Sequence, residues 1–211
     1  MLIDIELIKK ILDENKISVK GVLHVGAHEC EELSFYTNTL AVSKENIFWI
    51  EALEGKVNEA KSKGVPNVYH AVVSNEDDKE VVFHVSNNVQ SSSILEFGTH
   101  AHHHQHVKYE FDLIQKTKTL STFFQEKQID STVLNFWNFD IQGAELMALQ
   151  GAKEHLQNVD ALYLEVNSEE VYKGCGLIGE IDEYVKGFGF QRVITKMTPH
   201  GWGDALYVKP K

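Results

Sequence analysis

Three acidic side chains end apolar runs that are typical of buried strands: Glu51, Asp140 and Glu165. The carboxyl ends of parallel strands meet at one edge of a sheet, so these carboxylates are expected to converge on one crevice. Asp140 and Glu165 could there orient a hydroxyl, bind a divalent metal or act as a base. Glu51 could accept both hydroxyls of a ribose. The structural alternatives are hydrogen bonding to loop amides for the pair and a solvated carboxylate for Glu51.

The stretch 22–32 predicts a buried strand, a tight turn at Gly26 and the first turn of a helix. A dinucleotide fingerprint would need glycines where His28 and Glu31 stand, so that pattern is broken. Glutamates at positions 29, 31 and 32 would repel a pyrophosphate, although they could equally complement a helix N-terminus. A cationic cofactor without phosphates, such as S-adenosylmethionine, is compatible with this turn.

Five histidines lie close together in the chain: His100, His102, His103, His104 and His106. Their spacing matches no standard zinc site, so no metal site is predicted. We interpret the surrounding residues 86–112 as a mobile substrate lid, with His106 as a candidate general base. The run Ser91–Ser93 has no base at motif spacing, which argues against a serine hydrolase. Ligand contacts or a simple turn remain open for these serines.

The elements that must position these residues alternate along the chain. An amphipathic N-terminal helix within residues 1–16 is expected to cover one edge of a sheet. The order then predicts a single α/β domain spanning residues 1–211, with a mostly parallel, doubly wound sheet. A C-terminal antiparallel hairpin is expected at 190–195 and 205–208. The other strands are predicted at 20–25, 46–50, 67–73, 80–85, 133–141 and 161–166. The helices that follow the N-terminal one are predicted at 29–40, 55–63, 117–127 (with Ser121 as N-cap), 144–149 and 179–186.

Composition narrows the class of protein. The chain has 211 residues and a formal net charge of −11, which makes nucleic acid an unfavourable partner. No apolar run approaches the length of a membrane span, and the start lacks the features of a signal peptide. Two cysteines cannot form a disulfide framework. We therefore expect a cytoplasmic protein that acts on a small molecule, and the sequence carries no signal for its oligomeric state.

The chain resembles the FkbM-type family of S-adenosylmethionine-dependent methyltransferases. The resemblance runs in the same order and spacing from about Val22 to the C-terminus. Its most specific part is Asp140–Glu145 followed by the Gly-Ala pair at 151–152. The family usually has asparagine and then glycine where His28 and Cys30 stand. The other matching segments are Val25–His28, Ile50–Glu51, Ser91–Leu95, Thr119–Leu120, Gly189–Phe190 and Trp202–Tyr207.

The resemblance implies a Rossmann-like class I methyltransferase fold with a seven-stranded sheet, its seventh strand antiparallel, and helices on both faces. It also implies O-methylation of a hydroxyl, often on sugars or polyketide-type natural products. We expect the acceptor to be a sugar, a glycan or a related small molecule. Asp140, Glu165 and His106 are then the catalytic candidates. The expected cofactor-binding residues are Gly26, Ala27, His28, Glu51, Ala52, Ala71, Val72, Ser92 and Asp140.

Three alternatives remain beside this hypothesis. One is a metal-assisted methyltransferase or hydrolase that uses Asp140, Glu165 and the cluster His100–His106. Another is a non-catalytic binding module of the same fold. A nicotinamide oxidoreductase is disfavoured by the broken glycine pattern and the local acidity. Tyr172 and Trp202 could stack on a sugar ring, whereas core packing is the expected use of Trp137.

Overall fold

A seven-stranded sheet organises the computed structural model, which describes residues 1–210. Its strand order is β3-β2-β1-β7-β8-β10-β9, and only β10 runs antiparallel to the others. This order confirms the predicted sheet and its terminal hairpin. The strands are β1 Val22–Val25, β2 Ile47–Glu51, β3 Val68–His70, β4 Val72–Val73, β5 Glu80–Ser86, β6 Tyr109–Lys118, β7 Phe136–Phe139, β8 Ala161–Asn167, β9 Gln191–Met197 and β10 Trp202–Val208.

Helices cover both faces of this sheet, as predicted. One apolar cluster joins the sheet to α4, α5 and α6, and a second joins it to α1 and α2. Ile8 and Leu12 of α1 pack in the second cluster with Val22 and Trp49, so α1 lies on a face of the sheet rather than along its edge. The helices are α1 Ile5–Glu14, α2 Glu54–Ser62, α3 His100–His103, α4 Leu120–Lys127, α5 Glu145–Gln150 and α6 Ile178–Lys186. Within residues 1–210, none of the helices has the length and apolar character needed to cross a bilayer.

The first crossover differs from the regular helix predicted over residues 29–40. His28 and Cys30 both have left-handed backbones, with φ of 43° and 59°. A right-handed helix cannot pass through such residues, so the chain turns twice before helical geometry begins. The helical part of this crossover is a short π-helical segment, Phe35–Thr39.

The predicted helix over residues 117–127 begins later than expected. Residues up to Lys118 belong to β6, and α4 is capped by Thr119 rather than by Ser121. The Thr119 side chain accepts a hydrogen bond from the Thr122 amide at 3.2 Å. The Ser121 hydroxyl instead donates to the Gly151 carbonyl at 3.1 Å.

A small second sheet, in the order β4-β6-β5, stands beside the first. The predicted strand 67–73 is divided at Ala71, because β3 pairs with β2 whereas β4 pairs with β6. The segment 109–112 of the expected lid also belongs to this sheet, as part of β6. The sequence did not predict β6, because its residues are mostly exposed and lack a strong apolar alternation.

Residues 96–100 of the expected lid are tied to another loop by main-chain hydrogen bonds. The Gly98 and Thr99 amides donate to the Val171 and Glu170 carbonyls at 2.9 Å. A Cβ at Gly98 would come within 2.0 Å of the Glu170 carbonyl oxygen, so glycine is required for this approach. Residues 96–100 and 170–173 therefore form one wall beside the carboxyl ends of the strands, and the mobility expected of the lid stays a prediction.

Candidate active site

A cleft of about 520 Å³ opens at the carboxyl edge of the main sheet. It is lined by the ends of β1, β2, β7 and β8 and by the loops after them. Ala27 does not line it, because this residue is buried in the core and its amide donates to the Ile50 carbonyl at 3.1 Å. The other predicted site residues all meet there: Gly26, His28, Glu51, Ala52, Ala71, Val72, Ser92, His106, Asp140 and Glu165.

Gly26 forms the floor where the first turn meets the loop after β7. Its φ is +89°, and a Cβ at this position would lie only 1.8 Å from the Asp140 carbonyl oxygen. The Asp140 amide donates to the Val25 carbonyl at 2.9 Å, which holds the two loops together. Only glycine fits here.

Glu51 is buried at the end of β2 and is fixed by two main-chain amides. Its Oε2 accepts from the His28 amide and its Oε1 from the Leu53 amide, both at 2.8 Å. A carboxylate oxygen has two acceptor sites, so each oxygen retains one for a ligand. The carboxylate is therefore preorganised to accept a pair of vicinal hydroxyls, as a ribose would present.

The charges around the cleft are mostly negative, and the Met1 ammonium, 3.8 Å from Glu32 Oε1, is the fixed cation there among the described residues. Of the glutamates predicted to surround the first turn, Glu29 pairs with Lys56 at 2.7 Å and does not line the cleft. Among the described residues, neither lysine nor arginine lines the cleft. The acidic residues that line it are Glu31, Glu32, Glu51, Asp140, Glu165 and Asp204. A ligand with sulfonium and ammonium groups fits this lining, whereas a pyrophosphate does not.

Asp140 and Glu165 face the same end of the cleft but differ in environment. Asp140 is exposed within the cleft, whereas Glu165 is buried. Burial and the nearby Asp140 raise the pKa of Glu165 well above its ordinary value, which favours the neutral form of this carboxyl. Asp140, which is exposed to the cleft, is therefore the better placed of the two candidates to act as a base.

Gln142 joins these two acids and was not singled out from the sequence. Its Nε2 donates to Asp140 Oδ1 at 2.6 Å and to Glu165 Oε2 at 2.8 Å. Its Oε1 accepts from the Tyr172 hydroxyl at 2.5 Å. The only sequence signal was its place inside the segment Asp140–Glu145.

Glu145 stabilises the same loop from the first turn of α5. Its Oε1 accepts from the Ile141 amide at 2.8 Å and from the Gly143 amide at 3.3 Å. Burial raises the pKa of Glu145 to about 8. Its role is therefore to hold the loop 141–143 against the start of α5, and it does not line the cleft among the described residues.

The histidines form one rim of the cleft. His100 is buried, stacks on Phe97 at 4.3 Å and has no hydrogen-bond partner for Nδ1 within residues 1–210. Burial and the neighbouring histidines lower its pKa to about 4.

The other histidines of the rim are less buried. His104 packs against His200, which the sequence did not implicate, with ring centres 4.9 Å apart. His106 is exposed on the rim. Within residues 1–210, no three His, Cys, Asp or Glu side chains are grouped to hold a metal ion.

The remaining candidates divide between the cleft and the core. Tyr172 and Trp202 line the cleft. Trp137 is fully buried and donates its Nε1 proton to the Leu134 carbonyl at 2.8 Å, as its expected packing role requires. The Ser92 hydroxyl donates to the Val89 carbonyl at 2.6 Å, so it holds its own turn while lying at the cleft.

Solved structures with a similar fold include several methyltransferases. The FkbM methyltransferase of Methylobacillus flagellatus KT is 13% identical, with a TM-score of 0.55 over 90% of this chain and 44% of that one. Streptococcus pneumoniae Sp1610, with a suggested tRNA (m1A22) methyltransferase activity, is 13% identical, with a TM-score of 0.50 over 96% and 70%. A protein of Galdieria sulphuraria, suggested to be a sarcosine dimethylglycine methyltransferase, is 12% identical, with a TM-score of 0.51 over 97% and 84%.

A comparison with curated proteins found no match. The sequence itself matches the methyltransferase FkbM domain over residues 24–192, which include both Gly26 and the Asp140–Glu145 segment. The strand order is that of class I methyltransferases, and the cofactor is S-adenosylmethionine. The chain therefore belongs to the FkbM family of S-adenosylmethionine-dependent methyltransferases.

Proposed function

We propose that the protein transfers a methyl group to a hydroxyl oxygen of a sugar, a glycan or a related small molecule. The observation that supports this proposal is the exposed side chain of Asp140 beside the buried Glu165, in the cleft that also contains Glu51. An alcohol must give up its proton when it is methylated. Asp140 is the carboxylate in position to receive that proton.

The residues of the cleft fit the cofactor by shape and charge. Gly26 allows close approach at the first turn, Glu51 would accept the ribose hydroxyls, and Ala71 and Val72 would border the adenine. When bound, S-adenosylmethionine supplies a methyl carbon that forms a bond to the acceptor oxygen while the carbon–sulfur bond breaks and its electrons remain on sulfur. The protein's part is to align the acceptor, exclude water and take the hydroxyl proton on Asp140.

The acceptor is an uncharged or cationic compound. The cleft lining contains carboxylates and histidines but neither lysine nor arginine among the described residues. A phosphate or carboxylate on the acceptor would therefore meet repulsion, because the fixed cation at the cleft among the described residues, the Met1 ammonium, already lies 3.8 Å from Glu32. Tyr172 and Trp202 offer aromatic surfaces on which the apolar face of a sugar ring can rest.

The decisive measurement is methyl transfer to a panel of methyl glycosides, the matching uronic acids and the matching amines. Formation of S-adenosylhomocysteine would be followed with and without EDTA, and the product examined by mass spectrometry and NMR. We expect an O-methylated neutral glycoside, at a rate that chelation does not change. Methylation of nitrogen, strict dependence on a metal, or no binding of the cofactor by calorimetry would contradict the proposal.

Asp140→Asn should lower kcat by about 100-fold or more, because a positioned base contributes on the order of 10²–10⁴ in rate. Affinity for S-adenosylhomocysteine, measured by calorimetry, should change little. Asp78→Asn, at an exposed aspartate outside the cleft, is the matched control. A variant with wild-type kcat at position 140 would remove Asp140 from the reaction.

A further inference from the structure

Gln142 lies between the two acids, and each polar atom of its side chain has a partner. Its Nε2 donates to Asp140 and Glu165, and its Oε1 accepts from Tyr172. A carboxamide has two N–H donors and one carbonyl acceptor. The reversed orientation would bring the carbonyl oxygen against two carboxyl oxygens, so the chemistry of its neighbours determines how the amide is turned.

The backbone of Gln142 is unfavourable for its residue type. Its φ is +55°, in the left-handed region that glycine and asparagine tolerate better than glutamine. The Ser93 hydroxyl donates to the Gln142 carbonyl at 2.8 Å and so helps to hold this conformation. From this backbone the Gln142 side chain reaches both acids.

We propose that Gln142 is a positioning residue that keeps the negative charge of the acidic pair on Asp140 and aims this carboxylate at the acceptor hydroxyl. The inference rests on the proposed function, in which Asp140 takes the acceptor's proton. Tyr172 extends the network to the acceptor side, because its ring lines the cleft while its hydroxyl fixes the amide.

The physical basis is that the Gln142 amide and burial have different effects on the charge of Asp140 and of Glu165. A donated N–H stabilises the charged form of Asp140. Burial favours the neutral form of Glu165, whose carboxyl is also hydrogen-bonded to Asp140. Without the amide, the Asp140 carboxylate loses a donor and an anchor, and the proton is shared more evenly between the two acids.

Gln142→Asn is the informative variant, because asparagine accepts the left-handed backbone but its shorter side chain cannot bridge both acids. We expect a protein that still folds, with a kcat about tenfold or more lower. KM for S-adenosylmethionine should stay within about twofold, because the substitution removes no proposed contact with the cofactor. The acidic limb of the pH–kcat profile should move up by about one pH unit, as the loss of a charged hydrogen bond predicts.

A second measurement does not depend on turnover. Protein labelled with ¹³C at its Asp and Glu carboxyl carbons would be titrated by NMR without substrate, with Asp140→Asn assigning the Asp140 resonance. In Gln142→Asn we expect the Asp140 midpoint to rise. An unchanged midpoint would overturn the inference, whatever the activity. If the wild type methylates no acceptor, the proposed function fails, and this titration still decides the role of Gln142.

Tyr172→Phe tests the far end of the network. It removes the hydroxyl that fixes the amide but keeps the ring, so the Asp140 midpoint should move in the same direction by a smaller amount. Tyr184→Phe is the matched control, because its hydroxyl contacts the Leu149 carbonyl at 3.3 Å away from the cleft. Equal midpoints in the wild type and Tyr172→Phe would contradict the coupling of Tyr172 to the acid pair.

Discussion

At the scale of single residues, the proposed ribose contact of Glu51 depends on how firmly its carboxylate is held. The His28 and Leu53 amides hold its two oxygens, so little side-chain entropy remains to be lost when a ligand binds. The carboxylate is therefore held in one orientation before a ligand arrives, as the proposed ribose contact requires.

Glu51→Ala should weaken binding of S-adenosylhomocysteine by about 30-fold or more, because hydrogen bonds to a charged group contribute on the order of 1.5–3 kcal/mol each. Calorimetry at fixed pH checks this expectation. Glu29→Ala is the control, since Glu29 lies on the same loop as His28 but pairs with Lys56 outside the cleft. Equal affinities for the wild type and Glu51→Ala would rule out the ribose contact.

Gly26→Ala should destabilise the protein by more than about 3 kcal/mol, because the new methyl group would overlap the Asp140 carbonyl and the backbone is left-handed. Urea unfolding followed by circular dichroism measures this loss. Gly55→Ala, in an exposed turn of α2 with no atom within 4 Å of the new Cβ, should instead stabilise by about 0.5–1 kcal/mol. A mild effect at Gly26 would mean that the two loops can separate.

The difference between predicted and unpredicted site residues has a physical origin. Glu51, Asp140 and Glu165 were found because strand ends follow from apolar periodicity, and parallel strands share one carboxyl edge. Gln142 was not found, because its role depends on a left-handed backbone and on Tyr172, which lies 30 residues away. No local pattern in the sequence encodes such a contact.

At the scale of the elements, the start of α4 is held by Thr119 and Asp77. Asp77 accepts hydrogen bonds from the Thr119 amide and from the hydroxyls of Thr119 and Thr122. The helix thereby joins the loop 74–79 to the main sheet. The sequence did not predict the late start of α4, because the residues before it pair with β5, as part of β6, through contacts distant in sequence.

Thr119→Ala should lower stability by about 1 kcal/mol through loss of the N-cap, which corresponds to a Tm decrease of about 3 °C for a chain of this size. Differential scanning calorimetry is the measurement. Ser62→Ala is the control, because the exposed Ser62 hydroxyl only donates to the Glu59 carbonyl near the end of α2. A Tm decrease no larger than that of Ser62→Ala would show that Asp77 alone secures the helix start.

The order of the elements was predicted well, whereas their ends and irregularities were not. Alternation of buried strands and amphipathic helices determines a parallel sheet, and β7, β8 and β10 appear as expected. The prediction of a regular helix over residues 29–40 was wrong, because the left-handed backbones of His28 and Cys30 depend on their packing in three dimensions and not on helical spacing.

At the scale of the whole molecule, the histidine rim links three separate parts of the chain. His104 contacts His200 in the terminal hairpin, and His103 approaches Glu169 in the loop after β8, with Nε2 and Oε1 3.4 Å apart. His100 packs against His104. The rim therefore brings the lid segment, the loop after β8 and the terminal hairpin into contact.

His100→Phe should make stability less sensitive to acid. Burial holds the folded-state pKa of His100 at about 4, below the ordinary 6.5, so on acidification the unfolded chain takes up this proton first. The contribution of His100 is therefore present above pH 6.5 and is lost as pH falls towards 4. We expect the Tm of the variant minus that of the wild type to increase from about pH 7.5 to about pH 4.5. A constant difference would contradict the assignment.

The wall formed by residues 96–100 against 170–173 is joined through main-chain atoms. Gly98 permits this close approach, and Tyr172 holds Gln142, so these two residues are fixed by their contacts. Exposed side chains that make no contact across the wall can be exchanged while the backbone frame stays in place, so the cleft can be reshaped there by substitution without rebuilding the fold. A family can in this way diversify its acceptors while the cofactor half of the cleft, restricted by Gly26 and Glu51, changes little.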